Sequence, residues 1–238
     1  MTADEGRADR MSAVSLARLL QFGDSAFPVG GFAFSNGLES AIQQRVVSDA
    51  ASLHAFARTA TAQAASGDGV ALIHAHRAAE AGDLREVERI DELVFARKLS
   101  SESRTMSARI GRKAAQLAAQ ATDSPLIAAW RDRIESGASP GCHPMTLAVN
   151  FAAQRMSARD AFAVHQYGVA VTILSAGLRL MRISHVETQK ILYSLSSGVE
   201  KAYVSAASAG LADMSGFAPM SEILAAVHVK ADVRLFMN

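Results

Sequence analysis

Alanine fills 47 of the 238 positions, while glycine supplies 16 and proline five. Alanine is the strongest helix former, and glycine and proline are the residues that end helices, so this balance favours an all-α chain. Half of the residues are hydrophobic and a fifth charged, enough apolar side chain at this length to bury one core. Apolar residues recur at helical intervals: Leu53, Phe56, Ala57 and Ala60, and Val87, Ile90, Leu93 and Val94, at three and four, then Leu99, Met106, Ile110 and Leu117 at seven and four. Strand-type alternation is confined to residues 227–233, and no solenoid-type repeat occurs. The prediction is a single compact all-α domain of about ten helices over residues 13–238. A flexible polar tail at residues 1–12 precedes it, and it ends in a partly apolar C-terminal tail.

Helix ends are signalled by caps. Ser12 or Ser15 opens a first helix reaching Phe22, and Leu38 and Ile42 mark a second to about Gln44. Ser48 or Asp49 opens one that Gly67-Asp68-Gly69 should interrupt before a helix over residues 70–81, closed by Gly82. Asp83 caps the next, and the serines at 100, 101 and 103 mark a break before a further helix. Ser124-Pro125 pairs a cap with proline at the first helical position. Ser157 caps a long apolar helix to about Met181, and Ser184 caps one expected to run over residues 186–209. A short helix is expected at residues 221–227. Ordered Gly/Pro-rich loops fall at residues 23–37 and 137–144.

Charge and cysteine content exclude several functions. Lys and Arg total 24 against 23 Asp and Glu, a net charge of +1 that supplies no general attraction to nucleic acid or an anionic membrane. The single Cys142 rules out a disulfide framework within the chain and fits a reducing, cytoplasmic location. Acidic residues Asp4, Glu5 and Asp9, with no apolar stretch before a cleavage site, do not make a secretory signal. Residues 167–181 are apolar but shorter than the roughly 20 needed to span a bilayer, and they contain Arg179, so they read as a buried helix.

The usual catalytic signatures are missing. There is no Gly-x-Gly-x-x-Gly and no Gly-x4-Gly-Lys-Ser/Thr. No two of the seven histidines stand three or four apart, the spacing that puts two imidazoles on one helix face, and His74 and His76 project apart. Cys142 and His143 are weak metal candidates, because two adjacent ligands do not complete a four-coordinate shell. Their plainer reading is an apolar filler and a cap for the following helix. Asp24 and Ser25 with a histidine define an alternative, a helical hydrolase or metal-dependent enzyme, which no spacing selects. Arg97, Lys98, Arg104, Arg109, Arg112 and Lys113 against Glu102 give residues 97–113 a local charge of +5. That segment is a solvated helix face or a docking surface for an acidic partner. Without interleaved aromatics to stack bases, a DNA-binding regulator is the weaker reading.

Residues 19–39 read Leu-Leu-Gln-Phe-Gly-Asp-Ser-Ala-Phe-Pro-Val-Gly-Gly-Phe-Ala-Phe-Ser-Asn-Gly-Leu-Glu. This run resembles the opening signature of the UreF family of urease accessory proteins, in which Asp-Ser-Ala leads through a proline, glycines and aromatics to Ser-x-Gly-Leu-Glu. The similarity extends to residues 97–112 as the family's central basic helix, to His143-Pro144-Met145 as its His-Pro loop, and to residues 228–238 as its C-terminal tail. The resemblance implies an all-helical, non-catalytic, cytoplasmic chaperone that forms a homodimer, without nucleic acid or membrane. It further implies that such a protein joins UreD (also called UreH) and the GTPase UreG, and helps deliver nickel to apo-urease. On that reading the chain holds no cofactor of its own, and nickel passes through the complex. The positions so marked for partner binding are Asp24, Ser25, Pro28, Gly30, Gly31, Phe32, Phe34, Arg104, His228, Arg234, Leu235 and Phe236. Departures stand at Val229 and Asp232, where the family commonly has an acid and a tyrosine, and at Phe32 and Phe34, which lack a tyrosine hydroxyl.

Within the signature, Pro28 stiffens the loop entry, and Gly30-Gly31 would let backbone approach backbone. Phe27, Phe32 and Phe34 are each expected to be buried under their own loop rather than offered to a partner. The tail carries Val229, Val233, Leu235, Phe236 and Met237, too much apolar surface to remain free, and is read as a partner contact.

Overall fold

The molecule is known from a computed structural model that describes residues 11–24, 27–31, 34–215 and 236. Among these residues there are eleven α-helices and no strand: α1 (Ala13–Gly23), α2 (Leu38–Gln43), α3 (Ala50–Ala64), α4 (Val70–Glu80), α5 (Leu84–Arg97), α6 (Ser101–Ala121), α7 (Pro125–Glu135), α8 (His143–Ala153), α9 (Ala158–Leu180), α10 (His185–Ser196) and α11 (Val199–Ser208). The all-α prediction holds. The expected short helix at residues 221–227 and the alternating stretch at 227–233 lie outside the described residues, as does most of the N-terminal tail.

The caps act as their chemistry requires. Ser12, Asp49, Asp83, Ser100, Ser124, Ser157 and Ser184 each accept a hydrogen bond from a backbone N–H of the first turn they precede. Gly82 takes φ +75° after α4, a conformation open to glycine without strain.

Two boundaries differ from expectation. Gly67-Asp68-Gly69 does not break the chain: residues Ala65–Gly69 form a single π turn, and α3 runs through it into α4. With its amide oriented to satisfy both groups, Gln166 bridges this turn, donating to the Thr61 carbonyl at 2.9 Å and accepting from the Ala65 N–H at 3.3 Å. A Cβ on Gly69 would stand 2.6 Å from the Phe162 ring, which is why glycine sits there. Conversely, the helix expected over residues 186–209 is two helices, α10 and α11, separated at Ser197-Gly198. Ser196 and Ser197 turn their hydroxyls back onto the Leu192 and Tyr193 carbonyls, and no strong helix former stands at 196–198 to carry the helix on.

The core has two centres. In the first, α4 packs along α8, whose residues from Pro144 to Ala152 are all buried, with α5, α6, α7 and α11 around them. Trp130, fully buried on α7, donates from Nε1 to Thr146 Oγ1 at 3.0 Å. The second centre gathers Leu38, Ala41, Val47, Leu53, Ala57, Ile173, Leu174, Ala176, Ile191 and Phe236. Helix α9 joins them, giving Ala161 and Phe162 to the first and Ile173 and Leu174 to the second, and it is therefore apolar on more than one face. It is the one described helix long and apolar enough to cross a membrane, and more than half of that stretch is buried inside the domain.

Candidate interaction site

The signature loop, the π turn, the α5–α6 junction and helices α6, α8 and α9 surround a cavity of about 590 Å³. Its walls are largely apolar, with Phe22, Phe27, Met106, Ile110, Leu147 and Tyr167 among them. Asp68, Lys98, His143, His165 and Asn150 supply a polar portion.

The loop that walls this cavity is built residue by residue. Asp24 ends α1 in extended conformation, and its carbonyl accepts the Phe27 N–H at 3.0 Å. Phe27 is half-buried and turns its ring edge-on to Phe22 of α1, with centroids 5.3 Å apart, so it is held against that helix rather than buried under its own loop. Phe34 is buried, as expected, and Pro28 is exposed. Ser25 and Phe32 lie outside the described residues, as do His228, Arg234 and Leu235 of the tail. Gly30 takes φ +81°, Asn36 +53° and Gly37 +80°, so the loop turns through left-handed backbone. Among the described residues other than their chain neighbours, nothing lies within 4 Å of a Cβ placed on Gly30 or Gly31. Gly30 is required by its positive φ.

Arg97, Lys98 and Arg104 of the basic segment serve the domain itself. Lys98 lies 2.8 Å from Asp68 as an ion pair linking α5 to the π turn. Arg97 donates to the Met214 carbonyl at 2.6 Å, and half-buried Arg104 donates to the carbonyls of Lys98 and Leu99, closing the end of α5. Arg109, Arg112 and Lys113 are exposed along α6.

Cavity electrostatics follow from burial. Desolvation works to raise the Asp68 pKa, but the Lys98 ammonium and the neighbouring His165 outweigh it and hold the carboxyl below its ordinary value. Lys98 behaves reciprocally: burial pulls it down, and Asp68 more than restores it, so it stays charged. Burial, aided by His165, lowers His143 to about 4, and burial likewise lowers His165, so both imidazoles are neutral at pH 7. Cys142 is wholly buried, and burial together with the Asp91 carboxylate pushes its thiol well above the ordinary value, away from the thiolate a metal needs. His143 does not cap α8 with its side chain; it occupies the first turn, where its N–H donates to Ser107 Oγ at 3.3 Å. Among the described residues no group of three His, Cys, Asp or Glu side chains is placed to hold a metal ion.

Several important residues escaped the sequence reading. Fully buried Asp91 accepts from Ser139 Oγ at 2.6 Å, Gly141 N–H at 2.6 Å and Cys142 N–H at 2.9 Å, and so pins the 137–144 loop. The loop in turn sits against α6, where a Cβ on Gly111 would meet the Gly141 carbonyl at 2.1 Å. Asp91 was detectable: it shares the apolar stripe of Val87, Ile90 and Val94, where a lone acid demands partners.

Fold and site together define a helical protein with an apolar, polar-floored cavity under a glycine-rich loop and, among the described residues, no arrangement for metal catalysis. A family model, UreF, matches residues 47–196. A Brucella abortus (strain 2308) protein named urease accessory protein UreF 2 is 53% identical over 237 residues, covering 100% of this chain and 98% of the relative. A Yersinia pseudotuberculosis serotype I protein named urease accessory protein UreF is 48% identical over 228 residues, 96% of this chain and 100% of the relative. This chain belongs to the UreF family.

Proposed function

We propose that the chain is a urease accessory protein that acts in urease maturation as a non-catalytic scaffold. The observation that carries this is the identity of 53% along the whole chain to a protein named for that role. That whole-chain match includes the signature at residues 19–39, which lies outside the span of residues 47–196 matched by the family model.

On this reading the chain works in the cytoplasm as a homodimer, binds UreD and the GTPase UreG, and assists delivery of nickel to apo-urease. Nickel is cargo here, and the chain needs no resident cofactor. The signature loop, the exposed cations of α6 and the C-terminal tail apart from Phe236, whose ring is buried in the domain, are the surfaces offered to these partners. Apolar walls with few charges suit a partner contact, because such a patch repays desolvation when covered.

The test is size-exclusion chromatography of the purified chain mixed with UreD and UreG from the same source, at low and moderate salt. Co-elution as a complex larger than any component is expected. Independent elution at both salt concentrations would overturn the scaffold assignment.

A further inference from the structure

Asparagine stands at positions 36, 150 and 238, and only Asn36 is followed by glycine. Asn36 and Gly37 form the left-handed turn that leads into α2, with φ +53° and +80°. The Asn36 side chain is half-buried and lines the cavity. Among the described residues its amide enters no hydrogen bond, and the Gly37 N–H donates to no acceptor. Apart from its chain neighbours, nothing stands within 4 Å of a Cβ placed on Gly37. An asparagine Cγ and the nitrogen of the next residue close a five-membered ring when they meet, and glycine, lacking a Cβ, obstructs that approach least.

We propose that Asn36 is a self-modification site, converted to aspartate and isoaspartate through attack by Gly37 when the turn opens. The Gly37 nitrogen attacks Asn36 Cγ. The N–Cγ bond forms, the Cγ–Nδ2 bond breaks, and Nδ2 leaves as ammonia with the proton from the Gly37 nitrogen. Water then opens the cyclic imide. Opening at the side-chain carbonyl gives aspartate, and opening at the main-chain carbonyl gives isoaspartate, whose backbone runs through Cβ and Cγ. Water is the only co-reactant, and nothing is oxidised or reduced.

The turn is the brake on this chemistry. A left-handed residue has ψ of about +47°, which turns the next nitrogen away from the side chain, so ring closure requires Asn36 to rotate out of the turn. That opening is cheap, because α2 has only six residues and short elements at loop ends lie at the low end of local stability. Asn150 is the contrast: Phe151 follows it, and it is 5% exposed inside α8. Conversion puts a carboxylate on the cavity wall, and isoaspartate adds one backbone atom where the chain turns into α2. The resulting loss of partner capture rests on the urease accessory reading; the modification itself does not.

The test is incubation of the full-length chain at mildly alkaline pH in heavy-oxygen water, followed by digestion and mass spectrometry with isoaspartate resolved by chromatography. Label should enter at Asn36 roughly tenfold or more faster than at Asn150, with isoaspartate the larger product, and urea should accelerate entry at Asn36 further. Equal labelling of Asn36 and Asn150 in the folded chain would overturn the proposal, and labelling of Asn36 no faster in urea would overturn the brake. Ion exchange separates converted from unconverted chain of one aged preparation by the added charge. The unconverted fraction should capture UreD and the converted fraction should not; equal capture by both would overturn the functional consequence. A fresh chain that fails to bind UreD counts against the accessory function, while the label at Asn36 still decides the modification.

Discussion

Asp91 illustrates how one side chain organises a loop. Its two oxygens accept three hydrogen bonds from Ser139, Gly141 and Cys142 with no solvent access. Asp91→Ala would strand those buried donors, and a loss of roughly 3 kcal/mol is expected from the urea midpoint at constant m-value. The histidines give a pH dependence. His143 falls from 6.5 unfolded to about 4 folded, so the unfolded chain binds its proton first. The stability from keeping His143 neutral is fully present above pH 6.5 and is lost as pH falls towards 4. Urea midpoints measured across that window should decline, and His143→Gln should flatten the decline. The residues behind these effects were unevenly legible. Caps such as Asp49 and Ser157 depend on near neighbours and were read directly. The partners of Asp91 lie some fifty positions away, and only its misfit on an apolar stripe announced it.

At the level of elements, the junction of α5 and α6 and the π turn form one unit through Asp68 and Lys98. These side chains are thirty residues apart in sequence, so neither periodicity nor spacing could pair them. Asp68→Ala leaves a half-buried ammonium without its counter-charge and should cost about 2 kcal/mol, whereas Asp68→Ala combined with Lys98→Met should cost clearly less than the sum. A double-mutant cycle by thermal or urea unfolding checks this, and additive losses would show that the pair is not coupled. The π turn was misread because Gly-Asp-Gly resembles a helix break, while here Gly69 exists to admit Phe162 and Gln166 satisfies the widened backbone. The α10–α11 division was missed for the opposite reason. Apolar residues continue on both sides of Ser196-Ser197-Gly198, and their periodicity concealed three weak helix formers.

Across the whole molecule, alanine content predicted the helices, and α9 explains why one domain has two core centres. The apolar tail was recognised as needing cover, but its cover at Phe236 is intramolecular, a contact across 197 positions that only the folded chain reveals. The signature loop was legible as a motif, whereas the cavity beneath it required α6, α8 and α9 to converge. Its function as an accessory scaffold is tested most directly by nickel-dependent urease activity in cells expressing apo-urease, UreD and UreG with or without this chain. The account predicts active urease only when this chain is present; equal activity in its absence would contradict it.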